Sequence, residues 1–239
     1  MNLAIMQPYF LPYIGYWQLI NTVDTFVIYD NIEYSKKGWF NRNNILMNNQ
    51  KMMFSIPLKK DSDNLDVINR FLSDNSQKQI LKILGQIKSS YQKAPYFDKA
   101  FPIIEDIFLN NETNLFSYIH NSILKICNYL DINTNIVISS QIDIDHSLKS
   151  QEKVIAINKA LKSEQYINPI GGTELYKKND FEKEHIKLNF LESDVPQYKQ
   201  FNDEFIPYLS IIDIMMFNNK EEIKEMLKSF TLKGAPQNV

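Results

Sequence analysis

The order of apolar runs predicts an α/β chain built on a parallel sheet. Two observations carry that prediction. The first is the opening, where the apolar run Leu3-Ala4-Ile5-Met6 leads through a proline-bracketed loop into a helical pattern and then into a second buried run, Thr25-Phe26-Val27-Ile28-Tyr29. The second is the repetition of short apolar runs between helical stretches later on, at Asn135–Ile138, Tyr166–Pro169 and His185–Phe190. Strands that alternate with helices are the pattern of βαβ units, and ligands of such sheets collect outside the carboxyl ends of the strands.

In chain order, Leu3–Met6 reads as the first strand. Pro8 and Pro12 then stiffen the aromatic loop Tyr9-Phe10-Leu11, because proline fixes its own φ and restricts the residue before it. Ile14, Trp17, Leu19 and Ile20 share a helical face up to Asn21, and the strand after it closes on Asp30. Gln7 and Asp30 therefore stand at two strand ends. Asn31 to Arg42 has no clear period and holds Glu33, Tyr34, Lys36, Lys37, Trp39, Asn41 and Arg42, donors and aromatic plates suited to a polar, anionic ligand. An ordinary surface loop with an aromatic clamp fits the same composition.

Lys51–Ile56 reads as a third strand of the sheet, ended by Pro57, with Lys59 and Lys60 in a polar loop able to reach a phosphate in the same crevice. Leu65 to Leu72 is a short strand or loop passage. Ser73 to about Leu130 predicts a helical insertion, with helices over Ser73–Ser90, Phe101–Leu109 (Pro102 at an early position) and Asn114–Leu130. Cys127 lies in the apolar stripe of the last of these with no His at local spacing, so it reads as packing rather than a nucleophile; His120 reads as structural too.

Asn135–Ile138 is the next strand, with Ser139-Ser140 at its end, where hydroxyls and N–H groups bind phosphate or carboxylate oxygens. His146 follows Asp143 and Asp145; an Asp–His pair would make a general base, while the Asp143-Ile144-Asp145 alternation equally fits a strand edge. A helix over Gln151–Leu161 turns Val154, Ile155, Ile157 and Leu161 inward. After the Tyr166–Pro169 strand, which includes Asn168, Gly171-Gly172 permits close backbone approach to a ligand. His185–Phe190 reads as the final strand, Phe205–Phe217 as a helix with Ser210 and Asp213 on one face, Glu221–Phe230 as a terminal amphipathic helix and Gly234–Val239 as a tail. A buried Asp213 needs a partner, and Arg42 is the candidate. The whole predicts one α/β domain over residues 1–239, a parallel-type (Rossmann-like) sheet with flanking helices and an insertion at about 73–130.

Composition narrows the function classes. With 239 residues and 44% hydrophobic content a substantial core is available, and a net charge of -2 leaves no electrostatic footprint for nucleic acid or an anionic membrane. The single cysteine excludes an intramolecular disulfide and fits a reducing cytoplasm. The start MNLAIMQPYF has no basic n-region or small-residue cleavage site, so no signal peptide is expected. No apolar run approaches the roughly 20 residues that span a bilayer. A cytoplasmic protein is expected, and no metal-ligand set is read.

Several motifs occur together: Gln7-Pro8, Pro12, Gly15-Tyr16, Asp24-Thr25-Phe26-Val27, Asp30, Tyr34-Ser35-Lys36 and Trp39-Phe40-Asn41-Arg42-Asn43. Ser139-Ser140, Gly171-Gly172 with Tyr176, and Leu209-Ser210-Ile211-Ile212-Asp213 follow later. In these the chain resembles the WbqC-like protein family over nearly its whole length. Many relatives carry His before the Gln-Pro where this chain has Met6, so any role of that His falls elsewhere here. Pro196-Gln197-Tyr198 resembles the family's Tyr-x-Gln neighbourhood with the polar residues in another order.

The resemblance implies surface-polysaccharide (O-antigen, lipopolysaccharide) biosynthesis, and with it transfer of glycine or another acyl group to an amino sugar or nucleotide-linked sugar. Asp30 is then the candidate base, with Arg42 and His146 beside it as catalytic candidates. Gln7, Tyr16, Tyr34, Lys37, Trp39, Asn41, Asn43, Ser139, Ser140, Asn168, Gly171, Gly172, Tyr176, Ser210 and Asp213 are the substrate-binding candidates. The donor would be an activated acyl group such as an acyl-CoA or acyl carrier, and a homodimer is compatible with the sequence. Two other readings stand beside this one. A non-catalytic sugar-nucleotide-binding protein is the first. The second is a nucleotidyltransferase-like enzyme, since Tyr13-Ile14-Gly15-Tyr16 falls where such enzymes carry His-x-Gly-His.

Overall fold

The computed structural model describes residues 1–62 and 64–236. Strand β1 (Asn2–Met6) lies inside a six-stranded sheet with β2 (Thr25–Ile28) and β5 (Asn135–Ile138) on one side. On its other side follow β6 (Gln165–Pro169), β7 (Lys187–Ser193) and β8 (Phe230–Gly234), giving the spatial order β5-β2-β1-β6-β7-β8. The first five strands are parallel, and only β8 runs antiparallel, against β7. This is the doubly wound, Rossmann-like arrangement the sequence predicts.

The period of two in the strands sorts their side chains into two cores. Ala4, Phe26 and Ile28 face helix α1 (Ile14–Thr22) and the helical insertion; Leu3, Ile5, Val27 and Tyr166 face α5 (Ser150–Ala160) and α6 (Lys178–Lys183). The insertion consists of α2 (Ser76–Tyr91), α3 (Phe97–Phe108) and α4 (Leu115–Tyr129), and α4 begins where the Asn114 side chain accepts the Ser117 N–H at 3.0 Å. Cys127 packs inside α4, its thiol pushed up to about 12 by burial, as its stripe position requires. Pro102 sits well inside α3, because that helix begins at Phe97 rather than near Phe101.

Several expectations fail. The strand at Lys51–Ile56 does not join the parallel sheet. As β4 (Gln50–Ser55) it pairs antiparallel with β3 (Arg42–Met47) in a separate hairpin. The turn is Asn48-Asn49, with φ of 51° and 58°; asparagine tolerates this left-handed pair, which matches the twist of the flanking strands. The lysine loop after β4 therefore leaves the hairpin rather than a strand end of the sheet, and Lys59 pairs with Asp74 at 2.8 Å.

The helix expected over 205–217 covers only α7 (Ile211–Phe217), since Tyr208 is left-handed (φ 58°) and Ser210 caps the helix by accepting the Ile212 N–H. The terminal helix is also shorter, α8 (Lys220–Met226) with a capping box of Asn219 and Glu222, and the chain then returns as β8. His185–Phe190 thus precedes one more strand. The last three residues of the expected tail lie outside the described residues.

Candidate functional site

Register fixes which side chains meet at the carboxyl edge of the sheet. Met6 pairs with Ile28, and Ile28 with Ile138, so Gln7, Tyr29 and Ser139 each follow at the same level. The ladder between β1 and β6 is registered only at Asn2↔Gln165 and Leu3↔Tyr166, and the chain winds outward from these two strands in opposite directions. That is the switch point, where such sheets open a crevice.

Asp30 is the best-placed group there. It has no solvent exposure, and its Oδ1 accepts the Ser139 hydroxyl at 2.7 Å and the Ser140 N–H at 2.9 Å. Its Oδ2 is buried with no hydrogen-bond partner among the described residues. A buried carboxylate oxygen carries strong acceptor capacity, and leaving it unfilled is unfavourable. The Ser139 Oγ also lies 2.6 Å from Asn31 Oδ1, and the Asn31 amide meets His146 Nδ1 at 3.0 Å. His146 thus reaches the site through Asn31. The expected Asp–His base pair is absent: Asp145 accepts the Ser147 N–H and hydroxyl, which hold its carboxyl below the usual range.

Lys153, in the first turn of α5, was not singled out by the sequence. It is buried, with its ammonium 4.8 Å from the centre of the Tyr29 ring. Burial lowers its pKa, and Asp66 and Asp30 partly oppose that shift. The available signal is its position four residues before the inward Ile157, which puts both on one helical face.

At the end of β6, Asn168 is buried, and its Oδ1 accepts the Tyr166 hydroxyl at 2.9 Å. A Cβ on Gly172 would lie 2.0 Å from Asn168 Nδ2, so this glycine is explained by packing against the amide. Gly171 has open space in the same position. Tyr176 packs edge-on to Tyr166, with the two hydroxyls 3.4 Å apart. Burial raises the Tyr29 phenol to about 12, with Tyr176 and Asp66 adding to the shift.

Several other candidates are hydrogen-bonded to neighbouring loops. Tyr16 donates to the Gln7 carbonyl at 3.0 Å, and Tyr9 to Gln7 Oε1 at 2.9 Å. Asn43 donates to the Phe10 and Leu11 carbonyls and Ser210 to that of Leu11, fixing the left-handed Leu11 (φ 46°) of the proline loop. Tyr34 donates to Asn41, whose amide holds the Ile56 carbonyl at 2.7 Å.

Arg42 donates to the carbonyls of Gly38 and Lys37, and its guanidinium lies 5.4 Å from the Trp39 ring centre; Lys37 and Trp39 are exposed. The pairing of Arg42 with Asp213 does not occur. Asp213 is buried and filled by the hydroxyls of Tyr91 (2.7 Å) and Tyr198 (2.6 Å) and the Gln200 amide (2.8 Å). That carboxyl belongs to the seam between α7 and the insertion, because Tyr91 ends α2 and also accepts the Leu46 N–H of the hairpin.

A cleft of about 300 Å³ opens elsewhere, between the Asn48-Asn49 turn, the end of α2 and Phe201, and contains none of the strand-end groups. Among the described residues no group of three His, Cys, Asp or Glu side chains is placed to hold a metal ion, and no helix is long and apolar enough to cross a membrane.

The sequence model of the WbqC-like protein family matches residues 7–225. The chain is also similar to the uncharacterized protein Rv1507c of Mycobacterium tuberculosis, at 25% identity over 229 residues, 95% of this chain and 97% of that protein. No solved structure matches.

Proposed function

This chain belongs to the WbqC-like protein family, and we propose that it is a transferase of surface-polysaccharide biosynthesis that adds a glycine-like aminoacyl or other acyl group to an amino sugar or nucleotide-linked amino sugar. The observation that supports this most directly is Asp30: one carboxylate oxygen is anchored by Ser139 and Ser140, and the other is unfilled at the switch point. A base oriented by one oxygen and idle at the other suits removal of a proton from an attacking amine. The amine nitrogen bonds to the acyl carbonyl carbon, and the bond to the activating thiol breaks. Asp30 takes the amine proton and returns it to the leaving thiolate. Anchoring by Ser139 and Ser140 reduces the reorganisation needed as the reaction proceeds.

The test is incubation of the protein with nucleotide-linked amino sugars and a panel of acyl-CoA and aminoacyl thioesters, read by mass spectrometry. A sugar nucleotide gaining the acyl mass with wild type, and at least 100-fold more slowly with Asp30→Asn, is the expected result. Sugar-nucleotide binding without product from any donor would favour the non-catalytic binding protein instead.

A further inference from the structure

We infer that the cleft between the Asn48-Asn49 turn, the end of α2 and Phe201 is a carbohydrate site of its own, one that takes a neutral sugar rather than a phosphorylated or charged one. It contains none of the strand-end groups and does not depend on acyl transfer there.

The Asp213 network holds the walls of this cleft in place. Tyr91 closes α2 beside the wall residues Ser89 and Gln92. Its hydroxyl accepts the N–H of Leu46, a wall residue of the hairpin, at 2.7 Å and donates to Asp213 Oδ1 at 2.7 Å. Gln200 donates to the other Asp213 oxygen at 2.8 Å, and the next residue, Phe201, forms the third wall. The Phe201 ring meets Phe217 of α7 edge-on, with 4.8 Å between centres and 79° between planes, and stays exposed. One buried carboxylate therefore ties together the hairpin, the helix end and the Phe201 segment. A cleft whose walls are already fixed costs less ordering when a ligand enters.

Wall chemistry selects the ligand. Asn48, Asn49 and Gln92 supply amides and Ser89 a hydroxyl, groups that both donate and accept, as sugar hydroxyls do. Phe201 adds a flat apolar plate for the C–H face of a sugar ring. Among the described residues no Asp or Glu lines the cleft, so a cationic ligand would have no counter-charge. An anion is disfavoured as well, because the cleft lies at the C-terminal end of α2, the negative end of its dipole, which Lys93 alone offsets. A wholly apolar ligand would cover the amides and leave them unpaired. At about 300 Å³ the cleft is at the small end of ligand sites, with room for a monosaccharide or disaccharide.

The experiment is saturation-transfer NMR of the full chain with glucose, galactose, mannose and N-acetylglucosamine, each beside its 6-phosphate. At least one free sugar should bind wild type, and its 6-phosphate at least tenfold more weakly. Phe201→Ala and the double variant Asn48→Gly/Asn49→Gly should each weaken binding at least fivefold; glycine keeps the left-handed turn while removing the amides. Asp30→Asn should leave the affinity within twofold of wild type. Melting curves establish that each variant is folded. The site is overturned if no free sugar binds, if the 6-phosphate binds as tightly, or if the folded cleft variants keep full affinity. Binding lost in Asp30→Asn but kept in the cleft variants would move the sugar to the strand-end crevice and overturn it too. Because the readout is binding, the outcome stands whether or not the protein transfers an acyl group.

Discussion

Asp30 and Asp213 are both without solvent exposure, but they are treated in opposite ways. Asp213 has both oxygens filled, by two tyrosine hydroxyls and a glutamine amide drawn from different segments. Asp30 has one oxygen filled and the other without a partner among the described residues. A complete network joins parts of the fold, whereas an incomplete one at a strand-end crevice has capacity left for a ligand. The Asp213 network thus marks a structural seam, whereas Asp30 is the proposed site; both lie within the range matched by the family model.

The largest expected effect falls on the filled carboxyl. Asp213→Ala strands two hydroxyls and an amide in the core and should remove about 3–5 kcal/mol of stability, a large part of what a domain has. Urea denaturation measures it, and a loss below about 1 kcal/mol would break the comparison. Asp30→Asn should do the reverse, leaving stability within about 1 kcal/mol of wild type while turnover falls at least 100-fold. An unstable but active Asp30→Asn variant would exchange the two roles.

Acid titration sharpens the contrast further. Burial raises the Asp213 carboxyl above its ordinary value, against the pull of its three donors. The folded state therefore holds that proton more tightly than the unfolded chain does. This contribution is fully present below the unfolded value of about 3.9 and is lost as pH rises through the folded one. Comparing urea midpoints of wild type and Asp213→Asn from pH 3 upward should show this decline only in wild type; parallel curves would refute it.

The smallest effect belongs to Cys127, which lies in neither network. Cys127→Ala should lower stability by about 1–2 kcal/mol and leave turnover within a few-fold, since the thiol is buried and held protonated. Loss of turnover in a folded Cys127→Ala protein would place chemistry where only packing is expected.

Much of the candidate site was legible because strand ends are legible: β1, β2 and β5 were marked by apolar runs, and Gln7, Asp30, Ser139 and Ser140 followed from where those runs stop. Charge alone does not identify the partner of Arg42, because its own loop carbonyls at Lys37 and Gly38 accept from it. The burial of Lys153 is not legible in the sequence, because a lysine is normally exposed. The hairpin has a local signal, Asn48-Asn49 between two apolar runs. Strand β8 carries no such pattern, since four of its five residues are exposed at the sheet edge.

Alone, then, the sequence determined the alternation of strands and helices, the insertion, the packing role of Cys127 and the strand-end position of Asp30. These follow from side-chain period and backbone preference, which act over a few residues. Tertiary structure alone decided which buried charges are filled. The Asp213 hydroxyls come from 122 and 15 residues away, and the Asp30 hydroxyl from 109. No local pattern encodes a hydrogen bond between segments so far apart, because it forms only after the helices and strands have packed.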